Sequence, residues 1–221
     1  MVHSINFAEE FRAVSVEVME EEWLLSAEQV RSLLKWIRGL AGANRSVHPF
    51  MCTVAEQALL PREARALRVS DVVLPEGGGG KLTARRNGKA REIPLQPQSV
   101  EFLREWISDA GLQEGDLLFP SARGRPLSAS DCKQVWERAQ EAVLPRDELY
   151  WWRLGEPITV LRDSCLVKWL TTGISPVTVA EWAGVTQRWL ELRYPHCFRT
   201  ENTETDRDHL STGSVLSDVS N

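Results

Sequence analysis

The stretch VLRDSCLVKWLTTGISPVTVAEWAGVTQRWLELRYPH, Val160–His196, decides how this chain is read. Arg162 stands just inside a helical pattern that runs to about Thr172. Gly173-Ile174-Ser175-Pro176 then breaks the periodicity. Ser175 is placed to cap a second helix and Pro176 to open it, because proline's missing N–H costs nothing in a first turn. That helix stops at Gly184. A last short one, about Gln187–Arg193, delivers Tyr194, one of only two tyrosines in the chain.

Working outward, the pattern upstream is also mostly helical. Ser26 can cap a helix with Gln29 at the capping-box position, and Val30, Leu33, Leu34 and Ile37 form its apolar face up to Gly39–Gly42. A second segment spans about Pro49–Leu60, and Pro61 opens a short third. A β unit follows: Asp71–Leu74, a turn at Gly77–Gly80, Lys81–Arg86, an Asn87-Gly88 hairpin turn, and Ala90–Leu95. Helices are expected at about Pro97–Ala110 and Ser128–Val143, and an irregular loop over 145–158. Trp36, Trp106, Trp136, Trp169 and Trp182 fall on apolar stripes and read as core. The fold class is therefore mainly α with a small three-stranded antiparallel sheet (α+β). Three parts are expected: an acidic segment, 1–25, forming a short helix or a strap (Phe7, Phe11, Val14 and Val18 give a weak apolar pattern); a body, 26–199; and an acidic, disordered tail, 200–221.

A chain of 221 residues can bury a full core. No apolar run approaches bilayer length, and there is no signal-peptide pattern, so a cytoplasmic protein is expected. The four cysteines, Cys52, Cys132, Cys165 and Cys197, form no CxxC pair; they read as reduced thiols, with neither zinc nor a disulfide framework. A net charge of −5 argues against a polyanionic partner until its distribution is considered. Residues 1–25 carry six acids against one arginine, and 200–221 five against one, whereas 60–91 hold eight basic side chains and three acidic ones. The ends are acidic, and the body is mildly basic with one concentrated patch.

The order of elements, together with PREARALRVSDVVL (61–74), NGKAREIPL (87–95), LLFPSARGRPLS (117–128) and LRDSCLVKWLTTGISPVTVAEWAG (161–184), resembles the catalytic domain of the tyrosine recombinases, the phage-integrase family. The resemblance spans roughly 26–199. It implies a domain that grips duplex DNA in a basic cleft. A tyrosine hydroxyl attacks a DNA phosphate to give a 3′-phosphotyrosine, with no metal and no other cofactor. Such a phenol needs help to ionise. Two arginines clamp the phosphate oxygens, a hairpin lysine protonates the leaving hydroxyl, and histidines orient the phosphate.

Carried onto this chain, the nucleophile falls on Tyr194, nine residues after the Gly-His position, and the second arginine on Arg162. The first arginine is replaced by Leu60 in the triplet Ala58-Leu59-Leu60, although the acid that follows it is present as Glu63. The hairpin lysine becomes Arg86, whose pKa is too high for ready proton donation. The histidine three residues before Arg162 becomes Thr159, the one after it Asp163, and the Gly-His histidine Val185. The chain's own histidines, His3, His48, His196 and His209, lie elsewhere. Arg85, Arg86, Lys89 and Arg91 on the hairpin are DNA-contact candidates, as are Arg62, Arg65, Arg123 and Arg125. Each has a plainer reading: Arg62, Arg65 and Arg68 share a solvated helix face, Arg162 joins an ion network with Asp163, Glu63 or Glu181, and Tyr194 packs the last helix. Trp151-Trp152 reads as core cover or a partner patch.

Only 25 residues precede Ser26, whereas the family closes its clamp with an N-terminal helical domain. Binding by this domain alone is expected to be weak unless it oligomerises or joins a partner recombinase. Three functions remain open. The first is a DNA-binding or regulatory protein on a recombinase fold that does not cleave efficiently, associated with the nucleoid. The second is an active divergent recombinase in which Arg62 or Arg65 stands in for the missing arginine. The third is a protein-interaction module that has lost DNA binding.

Overall fold

The computed structural model describes residues 16–40, 45–153 and 155–198, without the side chains of Trp151 and Trp152. Phe7, Phe11, Val14 and the tail from 200 lie outside them. α1 (Ala27–Arg38) begins as its sequence dictates: the Ser26 hydroxyl accepts from the Gln29 amide, and the Gln29 side chain accepts in return from Ser26 N–H. α2 (Val47–Gln57) is mostly buried, and it packs against α1 and α7 (Thr159–Thr171). α3 (Pro61–Ala66) is one and a half turns, opened by its proline.

The sheet is β1 (Val72–Val73), β2 (Gly80–Arg86) and β3 (Lys89–Leu95), antiparallel in that order. Its register, Gly80 opposite Leu95 and Arg86 opposite Lys89, is fixed by Asn87 and Gly88, both at positive φ as a two-residue hairpin requires. Leu82, Ala84, Ile93 and Leu95 therefore face the core, and Arg85 points away. α4 (Pro97–Ala110) and α5 (Ala129–Val143, capped by Ser128) follow. Leu118 and Phe119 anchor the loop between them.

Two expectations change. The first half of 145–158 is not an irregular loop: α6 (Arg146–Glu148) runs into a π-helical turn, Leu149–Arg153, where Arg153 reaches inward to partners far away in sequence, while 155–158 carry no regular element. In the described part of 1–25, the strap holds and the helix does not: 16–20 lack regular structure and Glu21–Trp23 form one 3-10 turn. α8 (Pro176–Ala183) and α9 (Gln187–Arg193) close the fold, and a 3-10 turn, Pro195–Phe198, follows Tyr194. The main core takes in Trp136, with Trp36, Trp106, Trp169 and Trp182 packed at its edge. A smaller cluster gathers Met19, Ala58, Cys165, Leu166, Val179, Leu190 and Tyr194. All four cysteines are free, and among the described residues no helix is long and apolar enough to cross a membrane.

Candidate functional site

Five pieces of chain converge on the N-terminal half of α7: Ala58–Leu60, the β2–β3 hairpin, the end of α8, the end of α9, and the strap. Ala58 turns the chain between α2 and α3 at φ 47° and ψ 36°, a left-handed conformation that disfavours any side chain. The turn aims the Ala58 carbonyl at α7, where Arg162 donates to it through one terminal nitrogen and to the Ala183 carbonyl at 2.9 Å through the other. Arg162 is buried, and each of its terminal nitrogens donates to a backbone carbonyl. The ion network with Asp163, Glu63 or Glu181 is thus replaced by carbonyl contacts, because the C-terminal end of α8 presents unpaired acceptors there.

Two further arginines reach the same helix end. Arg91 donates Nε to the Trp182 carbonyl at 2.7 Å, and Arg86 donates to the Gly184 carbonyl at 3.3 Å. Three consecutive carbonyls, of Trp182, Ala183 and Gly184, each meet a guanidinium from a different element. Gly184 has φ 65°, and a Cβ there would meet the Arg91 guanidinium carbon and Nε at 3.1 Å, so both conformation and space favour glycine. Val185, half-buried at the Gly-His position, donates its N–H to the Ala180 carbonyl at 3.0 Å and completes a Schellman-type helix end.

Glu63 balances this positive group. Its carboxylate accepts from both terminal nitrogens of Arg91, at 3.0 and 2.8 Å, and from the Leu60 N–H at 3.0 Å. Burial pushes its pKa up, but the hydrogen bonds from Arg91 and Leu60 and the charges of Arg91 and Arg162 outweigh it, leaving the carboxyl below its usual range. Arg91 therefore faces inward, its donors occupied, and is not available to a phosphate as the hairpin reading expected. Leu60, half-buried, contributes hydrocarbon beside this group.

On the other side of α7 the chemistry is acidic. Tyr194 is 0 % exposed, and its hydroxyl donates to Asp163 Oδ1. Burial, then the Asp163 charge and this hydrogen bond, drive the phenol pKa upward. Arg193 reaches Asp163 at 3.5 Å and the Glu17 carbonyl at 2.6 Å. Thr159, one turn before Asp163, lines with it a partly open cavity of about 470 Å³ that the strap also borders. In that cavity Glu156 is held up to about 7, chiefly by burial, against the lowering effect of Arg153.

The remaining candidates are scattered. Arg62, Lys89, Arg123 and Arg125 are exposed, the last two on a tight turn closed by the Ser121 amide and the Arg125 carbonyl at 2.6 Å. Arg85, mostly solvent-accessible, pairs with buried Asp71. Arg65 donates to the Leu127 carbonyl at 3.2 Å and is committed to holding α5's entry. Sequence reading missed Arg153 and Arg193. Arg193's position beside Tyr194 was a usable signal, and Glu148 and Glu156 marked Arg153 as one of a local ion pair, whereas its carbonyl partners on the strap lie more than a hundred residues away. Among the described residues no three His, Cys, Asp or Glu side chains gather as metal ligands.

Residues 24–184 match the profile of the Phage integrase family; that match includes the helix of Arg162 and ends before Tyr194. The predicted integrase/recombinase y4rC of Sinorhizobium fredii (strain NBRC 101917 / NGR234) is 26% identical over 178 residues, covering 76% of this chain and 51% of that protein. Among solved structures, XerH site-specific recombinase bound to difH substrate in a pre-cleavage complex is 19% identical with TM-score 0.64, covering 81% of this chain and 52% of the other. XerA recombinase is 17% identical with TM-score 0.60 (76% and 59% covered). The catalytic domain of bacteriophage HP1 integrase is 18% identical with TM-score 0.55 (79% and 87% covered). The chain spans about half the length of the curated relative it matches.

Proposed function

Because the chain belongs to the phage integrase family and carries its tyrosine-recombinase catalytic fold, we propose that it acts by binding duplex DNA, alone or beside a partner recombinase, and cleaves it inefficiently or not at all. The observation that carries this reading is the state of the two retained positions. Tyr194 is buried with its hydroxyl on Asp163, and the donors of Arg162 end on the carbonyls of Ala58 and Ala183. A phenol beside a carboxylate resists ionisation, and an arginine whose two terminal nitrogens already hold backbone carbonyls must give up those bonds to clamp a phosphate. Leu60, Thr159 and Val185 supply neither a charge nor a titratable group near neutrality at the other family positions. Removing a single transition-state donor costs about 2.7–4 kcal/mol in kcat terms, and several are missing together.

DNA binding is supported by the exposed cations Arg62, Arg85, Lys89, Arg123 and Arg125 and by XerH, a fold relative whose solved complexes contain its difH substrate. The body is net basic while the ends are acidic, so a short duplex contact that weakens with salt is expected, with the protein located where the DNA is. A second reading, an active divergent recombinase, is favoured by one feature: Arg86 holds Gly184 by a single 3.3 Å bond and is free to swing toward a phosphate.

A nicked suicide duplex separates these readings. The expected result is a salt-sensitive complex, weakening steeply between about 50 and 200 mM salt, with no covalent adduct. An adduct lost in Tyr194→Phe would overturn the non-cleaving reading. Salt-independent retention, or no DNA binding at all, would leave the protein-interaction module.

A further inference from the structure

One charged side chain is more thoroughly enclosed than either retained family residue's role requires. Arg153 is 2 % exposed, and all its donors are used. It pairs with Glu148 at 3.0 Å and Glu156 at 3.2 Å, and donates to three consecutive carbonyls of the strap: Glu22 at 3.2 Å, Trp23 at 3.2 Å and Leu24 at 3.0 Å. A buried guanidinium is tolerated only when fully partnered, so this contact defines where residues 22–24 lie.

The rest of the strap follows from that anchor. Downstream, the Leu25 N–H donates to Ser164 Oγ on α7 at 3.2 Å, and Leu25 enters the core. Upstream, the Met19 N–H donates to the Arg193 carbonyl at 2.8 Å, and Arg193 answers on the Glu17 carbonyl. The Met19 side chain is buried in the same apolar cluster as Tyr194. The contacts thus form a chain: strap to Arg193, Arg193 to Asp163, Asp163 to the Tyr194 hydroxyl.

Apart from its two anchors the strap is weakly held. It contains one 3-10 turn, leaves Val18 and Trp23 partly in solvent, and borders the 470 Å³ cavity. Segments with few buried apolar contacts open at a fraction of the global unfolding free energy. The polar anchor at 22–24 and the apolar one at Met19 are therefore what keep it closed.

We propose that residues 17–24 are a displaceable cover over Tyr194, with Arg153 as the latch that holds it shut. Closed, the cover keeps the Tyr194 hydroxyl on Asp163 and out of reach of any macromolecule. Open, it exposes the hydroxyl and the acidic cavity behind it while α7, α8 and the hairpin stay folded. This holds whether or not the chain cleaves DNA, because the device concerns access to Tyr194 alone.

Nitration by tetranitromethane, read by peptide mass spectrometry on the full chain without DNA, tests it. Tyr150, exposed at 67 %, is the internal reference. The unaltered protein is expected to be nitrated at Tyr150 and protected at Tyr194. Met19→Asp, which removes the apolar anchor without touching the latch, and Arg153→Gln, which removes the latch, are each expected to raise the Tyr194 rate relative to Tyr150 by about tenfold or more, since modification of a locally opened state tracks its population. Hydrogen exchange checks that the variants stay folded: the amides of β2, β3 and α7 should keep their protection while those of 17–25 lose it. Should Arg153→Gln fail to fold, Met19→Asp alone decides. Continued protection of Tyr194 in a folded Met19→Asp variant whose strap amides exchange freely would overturn the proposal. So would Tyr194 reactivity that appears only with global unfolding.

Discussion

The two sides of α7 solve opposite electrostatic problems with adjacent residues. On the Arg162 side, three arginines crowd the carbonyl end of α8 with one carboxylate, Glu63, among them. On the Asp163 side, carboxylates outnumber cations: Asp163, Glu148, Glu156 and Glu17 face Arg153 and Arg193. The first side neutralises excess positive charge with backbone carbonyls and a helix end, which cannot titrate. The second leaves an excess of acid that burial can only accommodate by keeping protons on: on the Tyr194 phenol and, near neutrality, on Glu156. The cationic side is accordingly held by acceptors that carry no proton, and the acidic side is the adjustable one.

That contrast can be broken most forcefully at Glu63. Glu63→Ala leaves Arg91 buried without its counter-ion and should cost about 3–5 kcal/mol, read as a lower urea midpoint; an unchanged midpoint would mean that carbonyls alone hold the cationic side. Next in size is Glu156. Its carboxyl is raised to about 7 from 4.5, so the native state binds more protons than the unfolded chain between those values, and stability falls as pH rises through that window. Glu156→Gln, which still accepts from Arg153, should recover on the order of 2–3 kcal/mol at pH 8 and little at pH 4. Equal effects at both pH values would sink the acidic-side account.

A smaller change sharpens the turn that delivers a carbonyl to Arg162. Ala58→Gly relieves a left-handed backbone and should raise stability by about 0.5–1 kcal/mol without altering the rest, measurable as a higher Tm. Least affected in stability is the surface, which belongs to neither side. Lys89→Gln should stay within about 0.5 kcal/mol of the parent yet make the salt dependence of DNA binding shallower by about one unit of slope. A steeper loss of stability than of binding would show that the hairpin tip serves the fold instead.

Much of this was legible before any coordinates. The bounds of α4, α8 and α9 follow from local punctuation: Pro97, Pro176 and Gly184 act within a few residues of themselves, and Asn87-Gly88 sets a register that extends the whole hairpin. The π-helical turn at Leu149–Arg153 was not legible, because Arg153 within it meets carbonyls near residue 23. Arg91 is expected to face DNA if the hairpin is read by charge alone, but the period-two alternation of β3 puts it, opposite Ala84, on the same face as Ile93 and Leu95. What satisfies its charge there is a bidentate match with Glu63, 28 residues away, and the absence of a side chain at Gly184 leaves it room.

By itself the sequence determined the order of elements, the breaks between them, and which residue types stand at the family's positions, because capping, chain breaking and periodicity are properties of neighbours along the chain. Only the tertiary structure decided what those residues do with their donors. Arg162 ends on the carbonyl of a residue 104 positions away, and Tyr194 on a carboxylate 31 positions away under a strap from the N-terminal side. Every residue offers the same backbone acceptor, so no side-chain pattern marks which carbonyl will be met; closure of the fold selects it.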